Sequence, residues 1–169
     1  MIYAFDTYYF EDTARTVCIG FEDWPSTEIS MTETEVAPIP GDYVSGEFYR
    51  RELPCILSLL EKCTLTETDT IVIDGFVVLD DYGKRGLGGH LYEAIHRKAP
   101  IIGVAKTNFA TLNTAKASVY RGESKKPLFI TSIGIDLALA AANITSMAGQ
   151  YRMPDLLKKL DLLTKNSQC

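Results

Sequence analysis

The sequence predicts an α/β fold built on one mixed sheet, and three observations carry this prediction. The first 36 residues contain three strand-like segments with alternating apolar residues and short turns, which is typical of an antiparallel meander. Residues 70–73, with the sequence TIVI, form a β-branched run typical of a strand buried on both faces. Beyond them, helix-like and strand-like segments alternate, as they do around parallel strands.

The individual elements follow from the period of the apolar residues and from the turn residues between them. Strands are predicted over residues 1–10, 14–24, 28–36, 70–73, 100–105 and 128–131. Helices are predicted from about residue 54 to 63, with Pro54 in the first turn, and over 86–98, 135–148 and 155–163. Residues 107–126 are polar and basic, and are predicted to form a long loop or lid.

Length and composition predict one globular domain over residues 1–169, since this chain is long enough to bury a sizeable core. Hydrophobic residues make up 46% and charged residues 23%, a balance typical of globular proteins. No apolar run approaches the length of a membrane span, and the N-terminus lacks the features of a signal peptide. The four cysteines show no CxxC spacing, which disfavours zinc. We therefore expect a cytoplasmic monomer.

Charge is distributed unevenly along the chain. Residues 1–81 have a net charge of −13, and residues 82–130 have a net charge of +7. An acidic first half and a basic middle suit metal ligands beside a surface that faces phosphates. Ordinary solvated surface charge explains the same counts almost as well.

Three carboxylates stand out by their positions. Asp74 follows the buried strand, where ligands bind in open α/β sheets, although Asp74-Gly75 is also a common turn pair. Asp6 lies within the first strand, a poor place for an unpaired charge. Glu52 lies at or just before a helix start, where it either complements the helix dipole or acts as a ligand.

The order of the elements matches a ribonuclease H-like mixed sheet, in which the first strand lies beside the fourth. That arrangement would bring Asp6 and Asp74 side by side, with Glu52 approaching from the helix between them. Carboxylates placed so closely repel one another unless cations lie among them. Two Mg²⁺ or Mn²⁺ ions would relieve the repulsion and activate water for phosphodiester hydrolysis.

Two further side chains occupy suggestive positions. Lys106 directly follows the predicted strand over 100–105, just as Asp74 directly follows the predicted strand over 70–73. His90 lies one position from the apolar face of the helix over 86–98. A histidine in such a place is more often a hydrogen-bonded structural residue than a catalyst.

Six segments, in the same order along the chain, resemble the endonuclease V family. Residues 43–54 resemble its Tyr-Ile-Pro-Gly…Arg-Glu-Ile-Pro segment, and Ile73-Asp74-Gly75 matches its Val-Asp-Gly. The remaining matches are Gly86-Leu87-Gly88-Gly89-His90, Ile102-Gly103-Val104-Ala105-Lys106, residues 129–134 and Tyr151-Arg152-Met153-Pro154. The resemblance covers nearly the whole chain.

The resemblance implies a ribonuclease H-like fold and metal-dependent cleavage of DNA or RNA near a deaminated purine. It implies that Asp6 and Asp74 hold the principal Mg²⁺ or Mn²⁺ ion, with Glu52 as the accompanying acid. Lys106 would contact phosphate or the reacting water, and Tyr43 would stack or wedge against the disturbed base step. The nucleic-acid-binding set that it implies is Tyr43, Gly46, Gly75, His90 and Lys106.

The sequence also departs from the family pattern. Asp42 and Ser45 replace prolines around Tyr43-Val44, and the family's Asp-Gly-His-Gly is Asp74-Gly75-Phe76-Val77 here. Ile135 stands where the family's histidine after Ser-x-Gly is expected, so the neighbouring Asp136 is predicted as a fourth acid.

These departures leave two alternatives to an inosine-directed nuclease. One is a nuclease for other structured nucleic acid, and the other is a non-catalytic nucleic-acid-binding module. The joint presence of Asp6, Glu52, Asp74 and Lys106 disfavours the module, because a simple binder gains nothing from clustered negative charge facing phosphate.

Overall fold

The computed structural model describes residues 1–39 and 49–166, which build one seven-stranded sheet and four helices. The strands are β1 (Ile2–Phe10), β2 (Thr13–Phe21), β3 (Met31–Pro38), β4 (Thr70–Asp74), β5 (Ile101–Ala105), β6 (Ala117–Val119) and β7 (Leu128–Ile133). The helices are α1 (Tyr49–Lys62), α2 (Leu87–Ala94), α3 (Leu137–Ser146) and α4 (Asp155–Lys165).

The strand order is β3-β2-β1-β4-β5-β7-β6. β1, β2 and β3 form the predicted antiparallel meander. β1 then pairs in parallel with β4, and β4 pairs in parallel with β5. β5 and β6 both pair antiparallel with β7. The predicted mixed sheet, with its first strand beside its fourth, is confirmed.

Side chains alternate between the two faces of the sheet, and each face is covered by one pair of helices. On one face Tyr3, Phe5 and Ile73 belong to the core cluster that α1 and α2 complete. On the opposite face Ala4 and Val72 belong to the cluster that α3 and α4 complete. Residues with even numbers in β1 and β4 therefore point towards α3 and α4.

Residues 107–126 are largely irregular, as predicted, but they contain the short strand β6 and a few buried side chains that attach the segment to the sheet. Leu112 and Val119 are buried, and Val119 pairs with Leu128 in the hairpin of β6 and β7. The buried Arg121 donates hydrogen bonds to the carbonyl oxygens of Met147 (2.6 Å) and Tyr151 (2.7 Å). The sequence did not predict β6, because this strand is only three residues long and lies among lysines and threonines.

Two helices differ in length from their predictions. The described part of α1, Tyr49–Lys62, has Glu52 in its first turn and Pro54 inside the helix rather than in its first turn. α2 ends at Ala94 rather than at residue 98, since His96 and Arg97 adopt left-handed backbone with φ of 57° and 59°. In the described ranges, none of the helices combines the length and the apolar character needed to cross a bilayer.

Candidate functional site

Asp6 and Asp74 lie side by side at the carboxyl edge of the two central parallel strands. The register pairs Phe5 with Ile73, so the next residue on each strand is an aspartate. Both aspartates have even numbers and therefore point towards α4. Their carboxyl groups are close enough to influence each other's pKa, and the Thr7 N–H donates a hydrogen bond to Asp6 Oδ1 at 2.8 Å.

Burial and mutual repulsion favour a proton on this pair. Burial, followed by the negative charge of Asp74, raises the pKa of Asp6 to about 8, against a smaller lowering by the Thr7 N–H. Burial also raises the pKa of Asp74, while the hydrogen bond with Asp6 and the positive charge of Lys106 oppose the rise. Asp74 is exposed when the whole residue is considered, but it lines a recessed cavity. The pKa depends on the surroundings of the carboxyl group alone, and that group is largely removed from water. Two carboxylates here need a compensating positive charge to ionise together.

A cavity of about 100 Å³ opens beside this pair, on the α4 side of the sheet. Apolar residues of β1, β4, β5 and α4 form part of its lining. Its charged lining consists of Asp6, Asp74, Lys106, Lys158 and Asp161. Acids and lysines thus share one recess at the edge where the carboxyl ends of the parallel strands meet.

Asp161 in α4 is a member of this lining that sequence reasoning missed. Its charge raises the pKa values of both Asp6 and Asp74, and Lys165 forms an ion pair with its Oδ2 at 3.0 Å. The sequence contained a clue to this position. Asp161 follows the apolar Leu157 by one helical turn, so the two residues lie on the same side of α4, and Leu157 is buried. A carboxylate there is placed against the sheet rather than in bulk water.

Glu52 approaches from the other layer of helices. It is half-buried in the first turn of α1, and the hydroxyl of Tyr9 donates a hydrogen bond to its Oε1 at 2.9 Å. Burial raises the pKa of Glu52 to about 7, with the Tyr9 bond lowering it and the charge of Asp74 raising it. Glu52 therefore interacts electrostatically with Asp74, although its carboxyl is not part of the cavity lining.

Lys106 and Gly75 have the positions expected from their strands. Lys106 follows the end of β5, is exposed, and lines the cavity near enough to Asp74 to lower its pKa. Gly75 has a φ of 128°, which favours glycine, and its N–H donates to the carbonyl of Val104 at 3.0 Å. Gly103 on β5 leaves room for the backbone of Gly75 to pass close by. A Cβ at residue 103 would lie 2.6 Å from the Gly75 carbonyl oxygen.

Asp136 and His90 lie outside the cavity lining. Asp136 is the N-cap of α3, where its Oδ2 accepts a hydrogen bond from the Leu139 N–H at 3.3 Å. His90 in α2 stacks on Tyr49 with the ring centroids 3.6 Å apart. Burial, followed by the positive charges of Arg85 and Arg50, lowers the pKa of His90.

Tyr43 and Gly46 fall in residues 40–48, outside the described residues. Their predicted contacts with nucleic acid therefore stay predictions.

The cavity has the donor chemistry of a site for a hard divalent cation. Among residues 1–39 and 49–166, no three His, Cys, Asp or Glu side chains already form a cluster that could hold a metal ion. However, Asp6, Asp74 and Asp161 present only carboxylate oxygens, the ligands that Mg²⁺ and Mn²⁺ prefer. Burial is the main cause of the raised pKa values of Asp6 and Asp74, and a cation beside these carboxyl groups would offset that penalty on their charged forms. The residues present fit such an ion.

The mixed sheet, with its carboxylate pair on neighbouring parallel strands, defines a ribonuclease H-like α/β protein. A sequence profile of the Endonuclease V family matches residues 1–162. The chain belongs to the Endonuclease V family.

Curated relatives and solved structures agree with this assignment. Endonuclease V of Streptomyces avermitilis is 26% identical over 171 residues, which cover 86% of this chain and 70% of the relative. Endonuclease V of Nocardia farcinica is 28% identical over 177 residues, which cover 92% and 76%. The crystal structure of Ciona intestinalis Endonuclease V with a 24mer DNA containing an inosine followed by a ribo-adenosine has a TM-score of 0.79. It is 16% identical and matches 97% of this chain and 84% of the Ciona chain.

Proposed function

We propose that this protein is a divalent-metal-dependent endonuclease that hydrolyses a phosphodiester bond near a deaminated purine, hypoxanthine, in DNA or RNA. The observation that carries the proposal is the pair of Asp6 and Asp74 on neighbouring parallel strands, which lines a cavity together with Asp161 and Lys106. Family membership supports the nuclease class. The acidic recess supports the metal dependence.

Asp6 and Asp74 would hold Mg²⁺ or Mn²⁺, with Asp161 from the facing helix and Glu52 from the other layer as the accompanying acids. When bound, such an ion lowers the pKa of a coordinated water and stabilises charge on a leaving oxygen. The Tyr9 hydroxyl holds Glu52 in one orientation beside Asp74. This hydrogen bond orients Glu52 towards the proposed metal site without any contribution from a substrate.

Lys106 and Lys158 are the groups of this cavity that favour a phosphate. Both line the recess on which the aspartates converge, and an ammonium there offsets the repulsion between the acids and a polyanion. Lys106 is also fixed through its backbone, because its carbonyl accepts a hydrogen bond from Arg152 Nη2. A phosphodiester placed against Lys106 would lie beside the Asp6–Asp74 pair.

The choice of hypoxanthine follows the family rather than a contact in this chain. The Ciona relative was crystallised with DNA that contains an inosine, and the fold of this chain matches it over 97% of its length. An inosine pairs less stably than a normal base, so extruding it costs less free energy. We extend this substrate to the present protein as part of the proposal.

The test is cleavage of labelled oligonucleotides with and without one inosine, as DNA and as RNA, in Mg²⁺, Mn²⁺ or EDTA. Cleavage should require the metal, occur near the inosine, and fall by at least about a hundredfold in Asp74→Asn. Asp12→Asn is the matched control, because Asp12 is an exposed turn aspartate between β1 and β2. This variant should cut like the unaltered protein.

Each failure of the test has a distinct meaning. Cleavage in EDTA, or undiminished cleavage by Asp74→Asn, would refute the metal site. Metal-dependent cleavage that ignores inosine would refute the lesion preference while keeping the chemistry. Binding without cleavage in every metal would instead indicate a non-catalytic module.

A further inference from the structure

The chain crosses the sheet in a tight turn over residues 74–77, at the end of β4. The Gly75 N–H donates a hydrogen bond to the carbonyl oxygen of Val104 on β5 at 3.0 Å. Two residues later the Val77 N–H donates a hydrogen bond to Thr131 Oγ1 on β7 at 2.8 Å. This crossing turn therefore starts on β4, passes over β5 and ends against β7.

A glycine in the middle strand makes room for the crossing turn. The register places Ile73, Gly103 and Thr131 in one row across β4, β5 and β7. The row faces α1 and α2, since Ile73 belongs to the core cluster on that side. A Cβ at residue 103 would lie 2.6 Å from both the Gly75 carbonyl oxygen and Thr131 Oγ1. The Thr131 hydroxyl group thus reaches the turn across a position that has no side chain.

The hydroxyl group of Thr131 serves the turn rather than the strand. Thr131 and Val77 are both fully buried. A buried hydroxyl group costs free energy unless it is hydrogen-bonded, and a buried N–H must likewise find an acceptor. Valine has nearly the same shape as threonine and suits a β-strand equally well, so the packing of β7 does not require a hydroxyl group here. The Val77 N–H requires it, because its acceptor is Thr131 Oγ1.

Val77 is also tied to the start of α2. Its carbonyl oxygen accepts hydrogen bonds from the N–H groups of Gly86 (2.9 Å) and Gly89 (3.0 Å). Beside it the Phe76 ring packs against Phe109, with the ring centroids 5.7 Å apart. The crossing turn and the start of α2 thus form one unit, and the hydroxyl group on β7 fastens that unit to the sheet beside the reaction centre.

We propose that Thr131 is a positioning residue of the metal site, whose hydroxyl group holds the crossing turn in the place that aligns the Asp74 carboxyl with Asp6. The inference rests on the proposed function and deepens it with a residue two strands away from Asp74. Thr131 acts through the backbone, since it faces α1 and α2 whereas the two aspartates face α4. Without this hydroxyl group the crossing turn is free to rotate about the Gly75 bond, and the Asp74 backbone rotates with it.

The test compares Thr131→Val with Thr131→Ser. The valine variant keeps the shape of the side chain and loses the acceptor, whereas the serine variant keeps the hydroxyl group and loses a methyl group. In the valine variant kcat should fall about tenfold, with KM for the oligonucleotide within about twofold, because the reacting groups are misaligned and the strand is still bound. The serine variant should cut like the unaltered protein although its buried cavity lowers its stability. A merely structural role would instead make cleavage follow stability in both variants.

Two measurements need no cleavage at all. Calorimetry without substrate should show about tenfold weaker Mn²⁺ binding in Thr131→Val and unchanged binding in Thr131→Ser. Hydrogen exchange of the Val77 N–H should be accelerated in the valine variant alone. Thr145→Val is the matched control, because it makes the same substitution at an exposed hydroxyl group of α3 that donates to the Ala141 carbonyl at 2.8 Å. It should match the unaltered protein in every measurement.

The outcomes separate this proposal from the proposed function. A valine variant that binds Mn²⁺ and cuts normally would overturn the positioning role, and so would a serine variant that fails as the valine variant does. An unaltered protein that binds no Mn²⁺ would overturn both proposals. Weaker Mn²⁺ binding in Thr131→Val, together with an unaltered protein that cuts no strand in any metal, would refute the nuclease function and leave the positioning role standing.

Discussion

The Tyr9 hydroxyl donates a hydrogen bond to Glu52 Oε1 at 2.9 Å, which joins the first strand of the sheet to the first turn of α1. The two residues are far apart in sequence and belong to different layers of the fold. Their contact holds an acid beside the Asp6–Asp74 pair from the side opposite to α4. The site is thus assembled from both faces of the sheet.

Replacing Tyr9 by Phe should shift the pH dependence of cleavage. The Tyr9 bond lowers the pKa of Glu52, which burial has raised to about 7, so its loss should raise that pKa further. Fewer molecules then carry an ionised Glu52 at neutral pH. We expect the acidic limb of the rate profile to move up by about one pH unit, since a hydrogen bond to a charged group is worth roughly 1.5–3 kcal/mol.

Tyr8→Phe is the matched control for that measurement. Tyr8 is the neighbouring residue on β1, points to the opposite face, and is 38% exposed. Its profile should coincide with that of the unaltered protein. An unshifted profile in Tyr9→Phe would show that Glu52 does not titrate in the reaction.

The metal-free protein should lose stability as the pH rises. The folded pKa of Asp6 is raised to about 8 and that of Glu52 to about 7, both above their values in an unfolded chain. The unfolded chain therefore releases these protons first, and folding is favoured most below about pH 4 as far as these groups are concerned. Between about pH 5 and pH 8 the free energy of unfolding should therefore fall steadily.

Urea unfolding in EDTA across this pH window measures the effect. Asp74→Asn removes one negative charge from the pair, and should flatten the slope and raise the stability at pH 8. Millimolar Mg²⁺ should also raise the stability of the unaltered protein at pH 8. A stability that increases from pH 5 to pH 8 in EDTA would contradict the raised pKa values.

Asp161→Asn should reduce cleavage, whereas Asp136→Ala should reduce stability. Asp161 lines the cavity with Asp6 and Asp74, so its loss should reduce metal-dependent cleavage by about a hundredfold. Asp136 caps α3, so its replacement should cost about 0.5–2 kcal/mol of stability and leave cleavage almost unchanged. Cleavage rates and thermal unfolding of both variants decide the matter. Loss of cleavage in Asp136→Ala alone would support Asp136 as the fourth acid, as the sequence suggested.

Gly103→Ala should displace the turn that presents Asp74. A Cβ at this position would lie 2.6 Å from the Gly75 carbonyl oxygen and 2.6 Å from Thr131 Oγ1, and neither atom is at the end of a flexible chain. We expect about 1–3 kcal/mol of destabilisation and at least a tenfold loss of cleavage.

Gly20→Ala is the comparison for this variant. A Cβ at Gly20 would meet Met31, whose side chain can rotate away, so stability and cleavage should change little. Equal effects of the two glycine variants would indicate a general intolerance of strand glycines rather than a role for Gly103 at the site.

Local patterns along the chain determined most of the sheet and two of its acids. Alternation in residues 1–36 and the run TIVI at 70–73 specify strands, because their side chains fit a pleated, buried surface wherever that surface is formed. The order of elements then placed β1 beside β4, and with it Asp6 beside Asp74. The order of the strands makes β1 and β4 neighbours, and the register that pairs Phe5 with Ile73 then brings Asp6, in the middle of β1, beside Asp74 at the end of β4.

Tertiary structure alone decided which other groups join that pair. Asp161 and Asp136 look alike in sequence, as single aspartates in or next to amphipathic helices, but one faces the cavity and the other caps α3. The difference depends on how each helix is rotated and packed against the sheet, which is set by contacts between residues distant in the chain. The docking of residues 107–126 and the meeting of Phe76 with Phe109 have the same origin. Periodicity therefore determined the elements of this protein, while packing determined which side chains converge.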